Sequence, residues 1–396
     1  MKKGWQEKKL GDVCALDKTQ GIHRGLPYVG LEHIESHTAR FIGPSEPQPV
    51  KSSTFRFSDE HVLYGRLRPY LNKALKPDFE GHCSTEIFPI KPRPELSREY
   101  LLYWLLADET CDRINATCTG ARMPRADMNE VLGFEFPLPP LPEQQRIVGI
   151  LDEAFEGIAT AKTNAEKNLQ NARALFESHL QSVFTKRGEG WAEKTLGDEN
   201  LLEIIDGDRG INYPKASDFL DEGHCLFLNT KNVRPDGFDF ESTMFITAEK
   251  DGQLRKGKLK RDDVVLTTRG TIGNIGLYSE DVPFENIRIN SGMLIFRPNK
   301  LALLPSFLFE LLRSEIVKDQ IREQTTGAAQ PQLPIKTLVN FTIPVPANFE
   351  DQLALVRKLR AFEPETQRLE SLYQQKLNGL DALKKSLLHQ AFSGEL

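Results

Sequence analysis

The stretch GWQEKKLGD at residues 4–12 returns as GWAEKTLGD at residues 190–198, and this repeat decides the fold. Each copy continues through a long variable stretch into similar closing motifs, which lie 207 positions apart (137 against 344). A repeat this long predicts two equivalent domains rather than a solenoid of short units. The matched closing motifs are Pro137-Leu138-Pro139 with Pro344-Val345-Pro346, Glu143-x-Gln145 with Glu350-x-Gln352, and Thr119-Gly120 with Thr326-Gly327.

Length and composition are typical of a soluble protein with two domains. A chain of 396 residues leaves about 190 for each copy, enough for a hydrophobic core in each. The longest apolar run, residues 101–107, is too short to cross a bilayer, and the N-terminal segment lacks the apolar part of a signal peptide. The five cysteines form no Cys-x-x-Cys pair, which argues against a disulfide framework and a structural zinc site. We therefore expect a cytoplasmic protein without a membrane partner.

Each copy ends in a region with a helical pattern. After Pro142, the sequence EQQRIVGIL has proline and an acid in its first turn and apolar residues spaced three and four apart. Gly157 and its counterpart Pro364 predict an interruption, because both residue types disfavour a helix interior. Beyond these positions apolar residues recur every seven, which is typical of helices that pack together. A helix over residues 158–185 would be about 42 Å long, and an antiparallel pair would hold the domains apart at that scale.

These patterns predict an α+β fold. Two similar domains, each a mixed α/β globule, are expected to be separated by two long antiparallel coiled-coil helices in a pseudo-twofold, circularly closed arrangement. If Gly4-Trp5 followed Gly394-Glu395, the joined sequence would match the GEGW at residues 188–191, so the termini should lie close together. We expect the domains at 1–141 and 188–348 and the helical regions at 142–187 and 349–396.

Basic residues flank the same predicted strand in both copies. The net charge of −5 does not favour nucleic acid, but local clusters can neutralise phosphates and read base edges. Matching placement of the two clusters favours DNA over a merely solvated face. The predicted DNA contacts are Arg66, Arg68, Asn72 and Lys73 in the first copy, and Lys256, Lys258, Lys260, Arg261, Arg269 and Asn274 in the second.

The sequence lacks the motifs of adenine methyltransferases, ATP-driven enzymes and nucleases. It contains neither the glycine loop and Asp/Asn-Pro-Pro-aromatic element of an adenine methyltransferase nor a phosphate-binding loop for ATP. A nuclease site could begin at Pro77-Asp78, but the following acid and lysine, Glu86 and Lys91, have the wrong spacing. His33 and His37 could share a helix face as metal ligands, although surface histidines are the favoured interpretation. We expect no catalytic residue, no metal site and no cofactor.

The segment PLPPLPEQQRIV at residues 137–148 resembles the opening of the helical region in specificity subunits of type I restriction-modification systems. The ending LKKSLLHQAFSGEL at residues 383–396 resembles their second helical region, so the resemblance spans the whole chain. It implies a non-catalytic subunit that reads a two-part, gapped sequence in double-stranded DNA, one part per domain. By the same resemblance it would position two methyltransferase subunits, and ATP-dependent restriction subunits with translocase and nuclease activity would join the complex. The segment NFEDQ at 348–352 departs from the family's usual proline-glutamate-glutamine opening.

Partner contacts are expected at the starts of the two helical regions, at Glu143, Gln145, Glu350 and Gln352. The two domains differ in sequence, which implies an asymmetric DNA target. If the methyltransferase partners neutralise many of the phosphates, the isolated acidic chain should bind DNA poorly. One alternative is a coiled-coil scaffold whose globular domains bind proteins instead of DNA. Another is a complete methyltransferase or nuclease, which binding of a cofactor would favour.

Overall fold

The computed structural model describes residues 4–48, 50–325 and 332–396. The chain forms two compact units. Unit 1 consists of Met1–Lys167 with Tyr373–Leu396, and unit 2 consists of Asn168–Leu372. Thr326 and Gly327, the second Thr-Gly motif of the repeat, lie outside the described residues.

Unit 1 is a mixed helix and sheet domain. Its strands are β1 Gln6–Lys9, β2 Cys14–Leu16, β3 Gln20–Gly21, β4 Tyr28–Val29, β5 Thr54–Phe57, β6 Val62–Gly65, β7 Ala74–Leu75, β8 Gly81–Cys83, β9 Ile87–Pro92 and β10 Glu135–Leu138, and its short helices are α1 Leu10–Val13, α2 Arg98–Leu106, α3 Asp108–Ala116 and α4 Met128–Leu132. One antiparallel sheet has the order β2-β9-β6-β7, and a second sheet has the order β3-β5-β8-β4 with β4 and β8 parallel. Strand β1 pairs with β10, which joins the opening motif to the closing Pro-Leu-Pro motif.

The long helices α5 Leu141–Thr185 and α10 Phe349–Ser393 contain 45 residues each. Within each unit, part of α5 lies antiparallel to part of α10, since higher numbers on one helix meet lower numbers on the other. Apolar residues of both helices belong to the core of each unit. The pairs in contact are Arg146 with Leu396 and Lys162 with Asp381 in unit 1, and Arg173 with Glu370 and His179 with Phe362 in unit 2.

Unit 2 repeats this architecture. Its strands are β11 Trp191–Thr195, β12 Leu202–Asp206, β13 Cys225–Leu228, β14 Val233–Arg234, β15 Gly237–Phe238, β16 Phe245–Ile246, β17 Val264–Thr267, β18 Ile275–Leu277, β19 Ile287–Ile289, β20 Met293–Pro298 and β21 Thr342–Pro346, and its short helices are α6 Ala248–Gln253, α7 Pro305–Arg313, α8 Glu315–Thr325 and α9 Ile335–Leu338. The sheet β12-β20-β17-β18 corresponds to β2-β9-β6-β7, the parallel pair β13 and β19 corresponds to β4 and β8, and β11 pairs with β21. Strand β17 is buried along its whole length, as its apolar and β-branched sequence predicts.

The predicted interruption near Gly157 and Pro364 is wrong, because both long helices continue through these residues. Glycine costs about 1 kcal/mol and proline about 3 kcal/mol in a helix interior. Packing next to each residue offsets that cost, since Ile158 and Thr366 are both buried. The hydroxyl of Thr366 also donates to the carbonyl of Glu363 at 2.8 Å. Tertiary contacts therefore override local propensity at both positions.

The repeats shift by one residue between strand and helix. Helix α5 begins at Leu141 and α10 at Phe349, an offset of 208 (141 against 349) instead of the predicted 207. The residue that corresponds to Gln352 is therefore Gln144, and the predicted pairing with Gln145 is corrected. The buried side chains agree with this register, because Gln144 and Gln352 are 0% and 1% exposed.

Both glutamines connect a helix start to the neighbouring backbone. In each, the side-chain oxygen accepts from a backbone N–H that precedes a helix, and the side-chain nitrogen donates to two carbonyls. Gln144 accepts from Ser97 at 2.8 Å and donates to Glu95 and Pro139 at 2.8 Å each, and Gln352 accepts from Leu304 at 2.8 Å and donates to Ala302 at 3.0 Å and Pro346 at 3.3 Å. The closing motifs are therefore part of the scaffold.

The structure gives a reason for the unusual sequence NFEDQ at the start of α10. The side chain of Asn348 accepts from the backbone N–H of Glu350 at 2.9 Å and caps the start of α10. In the first copy the carbonyl of Pro140 accepts from the backbone N–H groups of Glu143 and Gln144 at 2.8 and 3.0 Å. The carbonyl of Asn348 likewise accepts from the backbone N–H of Gln352 at 3.4 Å, so the second copy differs by the side-chain cap that Asn348 adds.

The predicted fold class is confirmed, with two similar α+β domains and two long antiparallel helices. Trp5 and Leu396 pack against the same core of unit 1, as expected for termini that lie close together. Among the helices in the described ranges, none is long and apolar enough to span a membrane. The division of the chain at residues 141, 187 and 348 stays a prediction.

Candidate nucleic-acid interface

Three loops of unit 1 meet where strands β6 and β8 end. The backbone N–H of Arg66 donates to the carbonyl of Glu86 at 2.9 Å, and the N–H of Ala126 donates to the carbonyl of Arg66 at 2.9 Å. Leu67 forms a β-bridge with Arg125. We call this place the first loop junction and define it as residues 66–73, 84–86 and 117–126.

Unit 2 has the same backbone framework where β17 and β19 end. The N–H of Thr268 donates to the carbonyl of Gly292 at 2.8 Å, and the N–H of Leu333 donates to the carbonyl of Thr268 at 3.1 Å. Arg269 forms a β-bridge with Gln332. This second loop junction comprises residues 268–274, 290–292 and 332–334. The two junctions are equivalent places that carry different side chains.

Lys73 and Asn274, two of the predicted DNA contacts, occupy one equivalent position and share an internal role. The ammonium group of Lys73 donates to the carbonyls of Leu31 and Ile34 at 2.6 and 2.9 Å. The amide nitrogen of Asn274 donates to the carbonyl of Val233 at 2.8 Å. Both side chains thus connect their loop junction to a short 3-10 turn in the same unit.

Three further predicted contacts also make internal interactions or are buried. The ammonium group of Lys258 lies 2.5 Å from the carboxylate of Asp251. The guanidinium of Arg261 donates to the carbonyl of Ser279 at 2.6 Å. Asn72 is fully buried with a left-handed φ of 38°, and its amide has no hydrogen-bond partner among the described residues.

The other predicted contacts, apart from Arg66, are exposed. Arg68 and Arg269 lie in the first and second loop junctions, and Lys256 and Lys260 precede β17. Within the described part of the chain, none of these four side chains makes a hydrogen bond or an ion pair. They are the exposed cations of the predicted set that have no internal partner among the described residues, whereas the exposed Lys258 is paired with Asp251.

Arg66 forms a cluster with two residues outside the predicted DNA-contact set. The carboxylate of Glu86 accepts from Arg66 Nε at 3.1 Å and from Arg125 Nε and Nη2 at 2.9 and 2.8 Å. Burial raises the pKa of Glu86, but the hydrogen bond from Arg125 and the charges of both arginines outweigh it and hold that pKa below its ordinary value. The guanidinium of Arg66 also stacks over Phe88, 5.1 Å from the ring centre. This cluster therefore keeps Glu86 ionised and both guanidinium groups in place.

The sequence patterns missed two further cations, one inside the first junction and one beside the second. Arg122 is exposed in the first junction, in the loop that begins at the Thr-Gly motif. In unit 2, Arg209 donates to the carbonyl of Ser291 at 3.3 Å and lines a cleft together with Arg269 and Gln332. The Thr-Gly motif was a signal for the first junction, but Arg209 lies far from both basic clusters in the sequence.

The predicted partner residues lie at the starts of α5 and α10. Gln145 and Glu350 are exposed. Glu143 is partly exposed and accepts from Arg146 at 2.7 Å. Gln352 is buried inside unit 2, where it makes the scaffold hydrogen bonds described above.

The side chains that could bind a metal ion are scattered in the described parts of the chain. There, no group of three or more His, Cys, Asp or Glu side chains could hold a metal ion. His33 ends a 3-10 helix, Leu31–His33, and its Nδ1 accepts from the backbone N–H of Gly30 at 3.1 Å. The helix face that could have carried His33 and His37 does not form.

Comparison with known proteins agrees with this architecture. The chain is 24% identical to the type I restriction enzyme EcoBI specificity subunit of Escherichia coli, over 72% of this chain and 63% of that protein. It is 31% identical to the EcoDI specificity subunit of the same organism, over 49% of this chain and 43% of that protein. The aligned parts of the chain thus span less than two thirds of these relatives.

Solved structures with a similar fold cover the whole chain. A chain reported under the structural basis of complex assembly and conformational transition of the type I R-M system has a TM-score of 0.85 at 22% identity, and covers 100% of this chain and 99% of its own. The HsdS subunit from Thermoanaerobacter tengcongensis has a TM-score of 0.62 at 22% identity, with 100% and 98% covered. These likenesses confirm the fold.

Family membership follows from the sequence of both repeats. Residues 2–170 and 188–378 each match the model of the type I restriction modification DNA specificity domain. The two matches together cover most of the chain and coincide with the two copies of the repeat. The chain therefore belongs to the family of type I restriction-modification specificity subunits.

Proposed function

We propose that this chain is the DNA-reading subunit of a type I restriction-modification complex and that each loop junction contacts one half of a two-part target. The observation that carries the proposal is the shared backbone framework of the two junctions, which holds different side chains in unit 1 and unit 2. Equivalent frameworks place each junction against DNA in the same manner, whereas unlike side chains read unlike sequences. The target is therefore asymmetric, with a gap between its halves.

Phosphate contacts are assigned to exposed cations of the junctions. Arg68 and Arg269 extend from equivalent loops without an internal partner among the described residues, so their charge is available to the DNA backbone. Lys256, Lys260 and Arg122 add positive charge in the same two units. Four of the other predicted contacts are assigned as structural supports because their side chains make internal hydrogen bonds, namely Lys73, Lys258, Arg261 and Asn274. Asn72 is left out of the interface because it is buried.

Partner contacts are assigned to the starts of the long helices. Gln145 is exposed beside Glu143 at the start of α5, and Glu350 is exposed at the start of α10. Two such helix starts suit two copies of one methyltransferase subunit. Restriction subunits would join through that assembly, and the chain itself would contribute no catalytic group. Gln352 is left out of this interface because it is buried.

Charge removal at the junctions tests DNA binding. The double variant R68A/R269A, assembled with the methyltransferase subunits, is expected to bind target DNA about 5- to 30-fold more weakly than the unaltered complex at physiological salt. The slope of log affinity against log salt should fall by about two, because two phosphate contacts are lost. Titration of a labelled duplex at several salt concentrations measures both quantities.

Matched controls come from exposed arginines outside the junctions. The side chains of Arg56 and Arg234 are 54% and 52% exposed and are ion-paired with Glu80 and Asp239, so R56A/R234A should change neither affinity nor salt slope. Equal losses in the two double variants would argue for a diffuse charge effect. Full affinity in R68A/R269A would contradict the assignment and favour a scaffold that binds proteins.

A further inference from the structure

The Arg66, Glu86 and Arg125 cluster presents a fixed pair of donors at the first loop junction. One edge of the Arg66 guanidinium is held by Glu86, and its face is held by Phe88. Its two terminal amino groups make no hydrogen bond to the other described residues. The side chain is about one third exposed, so these amino groups are accessible while the stem is fixed.

Arg125 supports this arrangement from the adjoining loop. It binds Glu86 through Nε and Nη2, and its Nη1 donates to the carbonyl of Met123 at 3.2 Å. All three of its nitrogens are therefore engaged inside unit 1. Arg125 locks the carboxylate, and the carboxylate in turn orients Arg66.

The second loop junction has no such charges at the equivalent positions. The shared hydrogen bonds and bridges place Thr268, Gly292 and Gln332 where unit 1 has Arg66, Glu86 and Arg125. The backbone geometry is retained, so the difference lies in the side chains alone.

This contrast distinguishes two possible ligands of Arg66. Phosphates are identical in both halves of any DNA target, so a phosphate contact at this place would be useful in both units. A base differs between halves. Moreover, a planar guanidinium held in one orientation suits a bidentate contact, whereas a mobile cation is sufficient for a phosphate.

We propose that Arg66, oriented by Glu86 and Arg125, reads a guanine in the half of the target that unit 1 contacts. The two terminal amino groups donate to O6 and N7 of the guanine, the acceptor pair that this base shows in the major groove. Glu86 and Arg125 are positioning residues and do not touch the base. The inference rests on the proposed function, and it assigns no equivalent guanine to unit 2.

Selection from a randomised duplex pool tests the inference. The full chain, assembled with its methyltransferase subunits, is allowed to bind the pool, and the retained DNA is sequenced for R66K, for E86Q and for the unaltered chain. R66K keeps the charge but loses the bidentate fork, so the preference for guanine at one base pair should fall about 10- to 100-fold. E86Q should relax the same base pair, because it releases Arg66 without removing it.

The other half of the target serves as an internal control. Both variants should keep the unaltered preference there, which shows that the chain is folded and assembled, and R56K should change neither half. A uniform loss of affinity across all bases in R66K would identify a phosphate contact and overturn the inference. Unchanged selectivity in R66K would overturn it as well. If the unaltered assembly selects no sequence at all, the proposed function itself fails. If it selects a sequence but R66K changes no base preference, only the inference about Arg66 fails.

Discussion

Replacement of Gln144 by alanine is expected to lower the free energy of unfolding by about 3–5 kcal/mol, because its buried side chain holds the start of α5 to the neighbouring backbone. The substitution leaves a backbone N–H and two carbonyls without their partner, one carbonyl in a buried place and the other two groups in partly buried places. Each unsatisfied buried group costs about 1–3 kcal/mol, less whatever water can recover. The same loss is expected for Gln352→Ala, because it removes the equivalent three bonds in unit 2.

The neighbouring Gln145 provides a matched control. It has the same side chain in the same helical turn but is exposed, so Gln145→Ala should change stability by no more than about 0.5 kcal/mol. Urea unfolding followed by circular dichroism measures all three variants. Equal midpoints for the Gln144 and Gln145 variants would refute the scaffold role and the one-residue shift between the repeats.

Replacement of Arg313 by alanine is expected to destabilise unit 2 by about 3–5 kcal/mol, the usual cost of removing one partner from a buried ion pair. Arg313 lies 3.2 Å from Glu310 and 3.4 Å from Glu363, and its guanidinium stacks over Phe176 and Phe309. Glu310 is 4% exposed. Alanine would leave that carboxylate buried without its nearest cation.

The pH dependence of this loss identifies its cause. Burial raises the pKa of Glu310 to about 7, even though Arg313 lowers it. A carboxyl whose pKa is higher in the folded state stabilises most below its ordinary pKa of about 4.5, and that stability is lost as the pH rises through about 7. The R313A deficit should therefore be smaller at pH 5 than at pH 8.

Two further variants serve as controls. The variant R313A/E310Q should recover part of the loss at pH 8, whereas removal of the exposed Arg173 in R173A should cost at most about 1 kcal/mol. A deficit that is independent of pH would point to lost packing alone.

The repeat made the fold class predictable, because matching motifs must build matching elements. The strand that the basic clusters flank was also predictable, since buried β-branched runs such as Val264–Thr267 have a clear pattern. The one-residue shift was not. The first copy carries glutamines at both 144 and 145, whereas the second carries one at 352. Only the position at which each long helix starts decides which glutamine of the first copy points inward.

The roles of the basic residues were less predictable than the fold for a physical reason. A lysine or asparagine in a basic cluster can neutralise a phosphate, but it can also satisfy a buried carbonyl. Lys73 and Asn274 do the latter, at one equivalent position in both units. Conversely, the orientation of Arg66 depends on Glu86 and Arg125, which are 20 and 59 positions away along the chain (66 against 86 and 125) and meet only in the folded junction.

The most direct test of the account is the DNA sequence that the assembled complex modifies. Single-molecule sequencing of host DNA, with and without the gene for this chain, would reveal every base whose methylation depends on it. We predict one two-part target with unlike halves and a fixed gap. R66K should alter a base in one half only, and unit 2 should determine the other half. A palindromic target, or methylation that is unchanged when the gene is deleted, would contradict the account.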